Sequence, residues 1–452
     1  MADTITQDYE TASATALVKA VTAKKVSASE LTEAAIARIE RLNPPLNAVV
    51  VKDYDRARAA AKLADERAWR GEKGALLGVP MTVKESQRVA GLPVTWGVEE
   101  TRFIPEHDSV VIARLKRAGA IILGKTNVPP NLGDWMSANP IYGRTNNPHD
   151  VTRSPGGSSG GGAAAVASGM VPIEVGSDIG GSIRIPASFC GIYGLKTTWG
   201  LVPAFDHSPG NGDGAGQNLS VLGPLARTPD DLELVLGAIA GPTGDDAAGY
   251  KLALRPPRHG ALKDFRVLVI AEHPLAKVDG EILAALDEFV TGVERAGAKV
   301  SRASDLLPDL AANHASYAMM LGTVMSRRSG ATNSVSGHDW LNLVDVQFRL
   351  RRAWRTLFES FDIVLAPIFG TAAFEHIDEP AWAKRTLMID GAPTPYGAQI
   401  AWQGIATFPG LPAAALPIGW TKSRLPIGIQ AIGPYLEDLT SVQFARLAAK
   451  GL

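Results

Sequence analysis

Between Pro155 and Pro186 the chain places two glycine-serine clusters, Gly156-Gly157-Ser158-Ser159-Gly160-Gly161-Gly162 and Gly176-Ser177-Asp178-Ile179-Gly180-Gly181-Ser182, on either side of a run of Ala and Val. Glycine weakens the interior of helices and strands, so such clusters read as tight backbone loops flanking one helix and one strand. The plain alternative is a flexible Gly/Ser linker. A linker does not normally feed directly into a helix of Ala and Val, nor meet a second glycine cluster a few residues on. Glycine is in excess overall, 46 of 452 residues, against an average near 7%.

The surrounding pattern alternates between the two regular periods. Ser27 and Glu30 stand at capping-box spacing, and Leu31, Ala35, Ile39 and Leu42 follow a helical stripe that is expected to stop at Asn43-Pro44-Pro45. A second helix is expected over 54–70. Short apolar runs at 77–83 and 120–123 enclose a helix-like stretch from Ser109 to Arg117. Further strands are predicted at 171–175, 266–270, 362–366, 411–417 and 426–432, with helices at 280–296, 344–361 and 439–449. This is an α/β chain whose sheet is covered by helices. The segment 241–259, with GPTGDD and RPPRHG, reads as a surface connection. Strand-like runs recur on both sides of it, which favours one large unit over separate beads.

Charge and composition narrow the function. The formal net charge is −1, so no excess of Lys and Arg is present for phosphate contacts and nucleic acid is not an expected partner. One cysteine, Cys190, cannot form an intrachain disulfide, and its apolar setting favours a packed thiol. The first residues lack the apolar core of a secretion signal, and no run approaches the roughly 18 apolar residues of a membrane span. A cytoplasmic protein without membrane contact is expected. The eight histidines form no recognisable ligand motif, so no metal site is expected.

Two short patterns compete for attention. Gly119-Ala-Ile-Ile-Leu-Gly124-Lys125-Thr126 matches the phosphate-loop pattern, but its middle is an apolar strand and Asn127-Val-Pro-Pro follows where a helix should open. Gly157-Ser-Ser159-Gly-Gly161 fits the nucleophile elbow of α/β-hydrolases with Ser159 as nucleophile. The elbow needs a strand before it, whereas Asn147 to Pro155 is rich in turn formers. A helix does follow, so an esterase of that type remains an alternative, with its histidine unassigned.

The run from Pro155 through GGSSGGGAAAVASGMVPIEVGSDIGGSIRIPASFCGIYGLKTT to Thr198 resembles the signature of the amidase signature family, hydrolases that cut amides and, in some members, esters or carbamates. The resemblance extends upstream through Gly78-Val-Pro-Met-Thr-Val-Lys84 and Gly124-Lys-Thr-Asn127, and downstream through Gly410-Leu-Pro-Ala and Leu425 to Gln430. It implies a large mixed sheet with helices on both faces, formed as a single amidase domain over 1–452. Within it 1–75 is a helical N-terminal part, 76–240 the signature core, and 260–452 a C-terminal part completing the sheet and cleft.

Carried over by position, the resemblance implies a triad of Ser182 as nucleophile, Ser158 as proton relay and Lys84 as base, with a cis peptide at Gly157-Ser158. Ser159 becomes a supporting hydrogen bonder. A serine hydroxyl needs a base, and a desolvated neutral lysine is a suitable one. Lys84 ends an apolar run that would bury its stem. The backbone amides of Ile179, Gly180, Gly181 and Ser182 are the implied oxyanion donors, and the paired glycines let a carbonyl approach without a Cβ in the way. Asp178 and Arg184 are expected to hold this loop. No metal or organic cofactor is implied.

Specificity is expected from three segments, 131–142, 199–218 and 396–408. They contribute Trp135, Met136, Tyr142, Trp199, Gln399, Trp402 and Phe408 to a predicted apolar or aromatic cleft. The family includes the A-type component of tRNA-dependent amidotransferases, where an acidic residue is expected in the third segment to hold the glutamine ammonium. None occurs from Tyr396 to Phe408. A neutral small-molecule amide or carbamate fits better, and the loop pattern resembles the family's urethanases, which cleave aryl carbamates. A non-autonomous component of such a complex stays as the alternative, beside a monomer or homodimer acting alone. Arg349, Arg351, Arg352 and Arg355 share a predicted helix, where a solvated or ion-paired face competes with binding of a substrate carboxylate.

Overall fold

The computed structural model describes residues 9–209, 214–329 and 334–451, the side chains of residues 328 and 329 excepted. The N-terminal residues 1–8 and part of the 199–218 segment therefore lie outside the described residues.

An 11-stranded mixed sheet organises the chain. From edge to edge its strands are β1 (Val49–Lys52), β3 (Ile121–Thr126), β2 (Pro80–Lys84), β6 (Ile173–Asp178), β8 (Val221–Ala226), β7 (Tyr193–Lys196), β14 (Ala413–Trp420), β15 (Pro426–Ile432), β11 (Ile363–Pro367), β9 (Arg266–Val269) and β10 (Lys299–Ser301). Two hairpins, β4 (Ala138–Asn139) with β5 (Gly143–Arg144) and β12 (Thr386–Ile389) with β13 (Ala392–Pro395), stand apart from it. Every residue of β2, β3, β6 and β8 is buried, the mark of strands covered on both faces. This bears out the α/β expectation. In the register of the central strands, β2 runs parallel to β6 with Thr82 opposite Glu174, and β6 runs antiparallel to β8. That register carries Lys84, at the end of β2, to the same end of the sheet as Ser177 and Asp178.

Most expected elements occur within about three residues of their predicted bounds, but the helix expected at 344–361 begins earlier and runs from Gly337 to Ser360. The capping box forms as read: Ser27 Oγ accepts from the Glu30 amide at 3.0 Å, and Glu30 Oε2 accepts from the Ser27 amide at 2.7 Å. The helix does not stop at Asn43 but runs from Ala28 to Leu46 with both prolines inside it. Proline already has a helical φ, and in the last turn its missing N–H removes few bonds; the helix ends at Asn47, in a left-handed conformation at φ 50°. The Leu310–Ser329 helix was not foreseen. The 241–259 segment is largely exposed and contains one short helix, Asp246–Gly249.

Two short helices, Gly160–Ala167 and Arg184–Cys190, follow the glycine clusters and are buried except at Ala167, the last residue of the first. They pack on each other and bring the two clusters together. Among the described residues no helix is long and apolar enough to cross a membrane.

Candidate active site

Lys84 is wholly buried. Its Nζ lies 2.7 Å from Ser158 Oγ, 2.9 Å from Ser159 Oγ and 3.0 Å from Ser177 Oγ, with the Ser177 carbonyl at 3.5 Å. A lysine amine in this setting is held by hydroxyls from both glycine clusters. The peptide between Gly157 and Ser158 is cis. A side chain at Gly157 would meet the backbone of Asp134 at 2.4 Å, so the chain passes here only as glycine. Two serines outside the cluster hold it: Ser154 Oγ donates to the Trp135 carbonyl, and Ser137 Oγ donates to Gly156 O while accepting from the Gly160 amide.

Ser182 is joined to the first cluster through its backbone, with its carbonyl accepting from the Ser159 amide at 3.1 Å. Its hydroxyl forms no hydrogen bond with a described residue, so the Ser158 to Ser182 link of a proton relay is not closed. Such contacts commonly tighten only when substrate is bound. Ser159 caps the Gly160–Ala167 helix, and its hydroxyl donates to the Ser177 carbonyl at 3.3 Å. The segment before it is a loop, not the strand a nucleophile elbow requires.

The second cluster is shaped by Asp178 and Arg184, both fully shut off from solvent. Arg184 donates to both carboxylate oxygens, Nη2 to Oδ1 at 3.0 Å and Nε to Oδ2 at 3.1 Å. Burial by itself would raise the Asp178 pKa, but the Arg184 charge and its hydrogen bonds outweigh it and hold the group at about 2. Asp178 also accepts the amides of Gly181 at 2.9 Å and Ile183 at 3.1 Å. This alters one expectation: the Gly181 amide is committed to Asp178, leaving those of Ile179, Gly180 and Ser182 without a hydrogen bond to a described residue. Gly181 sits at φ +91°.

The expected cleft residues divide. Trp135 is buried beside the second cluster, its indole Nε1 donating to the Gly180 carbonyl at 2.9 Å, and its ring lies within 5.0 Å of those of Phe369, Trp382 and Tyr396. Met136 is buried with its sulfur toward the Ile377 amide. Tyr142 is half-buried, its carbonyl bonded to Asn47. Trp199, Gln399 and Trp402 are supports. The Trp199 amide bonds the Gly410 carbonyl and its ring faces Arg351, Gln399 ties Gly370 to Lys277, and Trp402 packs in the core against His273. Phe408 is likewise buried. Arg351 donates to the Pro409 carbonyl and lies over Tyr435 at 4.2 Å, a structural role.

The phosphate-loop pattern is refuted by its context. Gly124, Lys125 and Thr126 close β3, and Lys125 is buried with its amine on the Pro93 carbonyl. Burial lowers its pKa to about 8. Cys190 is a packed thiol, bonded to Pro155 O and pushed up by burial.

Several residues of the site escaped the sequence. Ser177 holds the lysine, Tyr317 donates to the Ile179 carbonyl at 2.7 Å, and Thr407 and Gln430 accept from Arg184 at 2.9 and 2.7 Å. Ser177, Thr407 and Gln430 lie within segments that the sequence marks, but nothing in it gives them these roles, and Tyr317 lies outside all of those segments.

The sequence model of the amidase family matches residues 30–337 and 318–441. The chain is 32% identical to the A component of the glutamyl-tRNA(Gln) amidotransferase of Synechococcus sp., covering 92% of each chain. It is 30% identical to an acylamidase of Rhodococcus erythropolis, covering 96% of this chain and 94% of the other. The structure of 6-aminohexanoate cyclic dimer hydrolase complexed with substrate superposes with a TM-score of 0.82 at 26% identity over 98% of both chains. Fold, paired glycine loops and relatives agree, and the chain belongs to the amidase signature family of hydrolases.

Proposed function

We propose that this chain hydrolyses the C–N bond of a neutral small-molecule amide or aryl carbamate through an acyl-enzyme on Ser182, with Lys84 as base and Ser158 as relay. The observation that carries the reading is the buried amine of Lys84 at 2.7 Å from Ser158 Oγ, on the loop whose neighbour bonds the Ser182 carbonyl. In its neutral form Lys84 draws the Ser158 proton as Ser158 takes that of Ser182. The Ser182 oxygen attacks the carbonyl, and the charge that develops there is met by the open amides of the second cluster, a contribution of about 2.7–4 kcal/mol per donor in comparable sites. Ser158 then returns the proton to the leaving nitrogen, and water frees the acyl group by the reverse path. Trp135 beside the loop supports an apolar substrate.

A fluorophosphonate probe should label Ser182, and Ser182→Ala should abolish turnover with the fold intact. Labelling of Ser159 would replace this mechanism with an elbow-type esterase. A second reading is favoured by the identity to the A components of amidotransferases: a glutaminase partner within a complex. The absence of any acidic residue from Tyr396 to Phe408 weighs against it. A side-by-side panel of p-nitroanilides, aryl carbamates, esters and glutamine separates the two, since turnover of aryl substrates by the isolated chain, without glutamine hydrolysis, fits only the first.

A further inference from the structure

We infer that Tyr317 is a positioning residue for the oxyanion hole: by holding the Ile179 carbonyl, its hydroxyl turns the Gly180 amide toward the side where substrate charge develops. The inference rests on the Ser182 acyl-enzyme reading.

The argument begins with peptide planarity. In a trans peptide the C=O and the following N–H point in opposite directions, so whatever anchors a carbonyl also aims the next amide. The loop from Ile179 to Ser182 contains three such peptides, and each is fixed. Ile179 O accepts from Tyr317 Oη at 2.7 Å, which directs the Gly180 N–H away from Tyr317. Gly180 O accepts from Trp135 Nε1 at 2.9 Å, and the paired Gly181 N–H goes to Asp178. Gly181 O accepts from the Ile185 amide at 2.7 Å, which directs the Ser182 N–H away from the helix. The first and third peptides thus have anchored carbonyls and open amides, while the middle one is bonded at both ends. Two open donors with one residue between them are available to a single carbonyl oxygen.

Of these anchors, Tyr317 is the remote one. Trp135 and Asp178 lie close to the glycine clusters in sequence, whereas Tyr317 comes from the Leu310–Ser329 helix. Its ring is fully buried in a cluster with Ile179, Leu219, Met320, Val324 and Phe408. It lies so close to the Ile400–Thr407 helix that a Cβ on Gly404 would come within 2.6 Å of it. The phenol donates to the Ile179 carbonyl with the Thr407 hydroxyl also within hydrogen-bond reach of its oxygen, and burial raises its pKa, which keeps the proton on it.

Tyr317→Phe keeps the ring and removes only the donor. Loss of a direct oxyanion donor costs about 10²- to 10³-fold in kcat, and a misaimed donor should cost less. With an aryl amide the expected result is a kcat lower by about 10- to 100-fold and a KM changed by less than about twofold. Affinity for benzeneboronic acid, which forms an anionic adduct on the serine, should fall by a similar factor, with the melting curve still cooperative. A folded Tyr317→Phe protein with unchanged kcat and boronate affinity overturns the inference, as does a rise in KM alone. Fluorophosphonate labelling of the unmutated protein separates the two levels: if Ser182 is not labelled, the acyl-enzyme reading fails first. If it is labelled and Tyr317→Phe behaves as wild type, only the role of Tyr317 fails.

Discussion

Lys84 Nζ and Ser158 Oγ stand 2.7 Å apart in a pocket closed to solvent, and the same amine reaches Ser159 Oγ at 2.9 Å. Two adjacent hydroxyls on one amine are not equivalent, because Ser159 Oγ is also bound to the Ser177 carbonyl, whereas Ser158 Oγ has no second hydrogen bond among the described residues. Lys84→Ala and Ser158→Ala should therefore each lower the rate of fluorophosphonate labelling at Ser182 by about 10³-fold or more, the scale seen when one member of a nucleophile-base unit is lost. Ser159→Ala removes one support and should cost only about 10-fold, near the upper end of the net worth of an ordinary hydrogen bond. Equal losses at 158 and 159 would sink this division of roles.

The buried pair of Asp178 and Arg184 is expected to dominate the stability of the loop. Removing one partner leaves the other charge buried and uncompensated, which typically costs about 3–5 kcal/mol. Arg184→Met should show that loss in urea unfolding. The acid side gives an independent check. Asp178 titrates at about 2 in the folded chain, against about 3.9 when unfolded. Its contribution is therefore present above about pH 4 and is lost as pH falls toward 2. Asp178→Asn should flatten that part of the acid unfolding profile; an unaltered profile would mean that other carboxylates control it.

The fold and the site were legible to different depths, for physical reasons. The capping box at Ser27, the runs that became β2 and β3, and both glycine clusters are local signals, carried by neighbours in sequence. The Leu310–Ser329 helix was missed although Leu310, Asn313, Tyr317, Met320 and Val324 recur at alternating three- and four-residue spacing. Ala, Ser, His and Asn dilute that stripe, and only packing against the oxyanion loop gives it a purpose. Expected cleft residues such as Trp402 and Gln399 became core and support, because an aromatic or amide in a loop has the same sequence signature whether it faces substrate or carbonyls. The Gly181 amide could not have been assigned to Asp178 without the fold of the turn.

Glu174 offers a prediction of opposite sign. It is buried on β6, opposite Thr82 of the lysine strand, with hydrogen bonds from the hydroxyls of Thr126, at 2.6 Å, and Thr82. Burial is the largest influence and raises its pKa to about 8, although both hydroxyls and the Lys84 charge pull it down. A carboxyl with a raised folded pKa stabilises fully below its unfolded value and loses that contribution as pH rises through about 8. Glu174→Gln cannot ionise. The difference in urea midpoint between wild type and Glu174→Gln should move against the wild type from pH 5 to pH 9; a pH-independent difference would contradict the assignment.

Gly181 is where backbone and chemistry constrain each other most tightly. Its φ of +91° lies where side chains are strained, and a Cβ there would come within 2.6 Å of both Gln403 and Ile185. Gln403 cannot simply swing aside, because its amide nitrogen is bound to the Ile368 carbonyl. Gly181→Ala must then displace the loop, carrying the Ser182 amide and hydroxyl with it, since Ser182 is the next residue. The backbone strain alone is about 1–3 kcal/mol, and a shift of about 1 Å at the reacting atoms costs on the order of 10² in rate. Gly200 supplies the control, with φ +86° and nothing within 4 Å of its would-be Cβ. Gly200→Ala should show a comparable backbone penalty in melting temperature with full activity, whereas Gly181→Ala should lose kcat out of proportion to its loss of stability. If the two variants were equally active, the close approach of Gln403 and Ile185 would have no bearing on the chemistry.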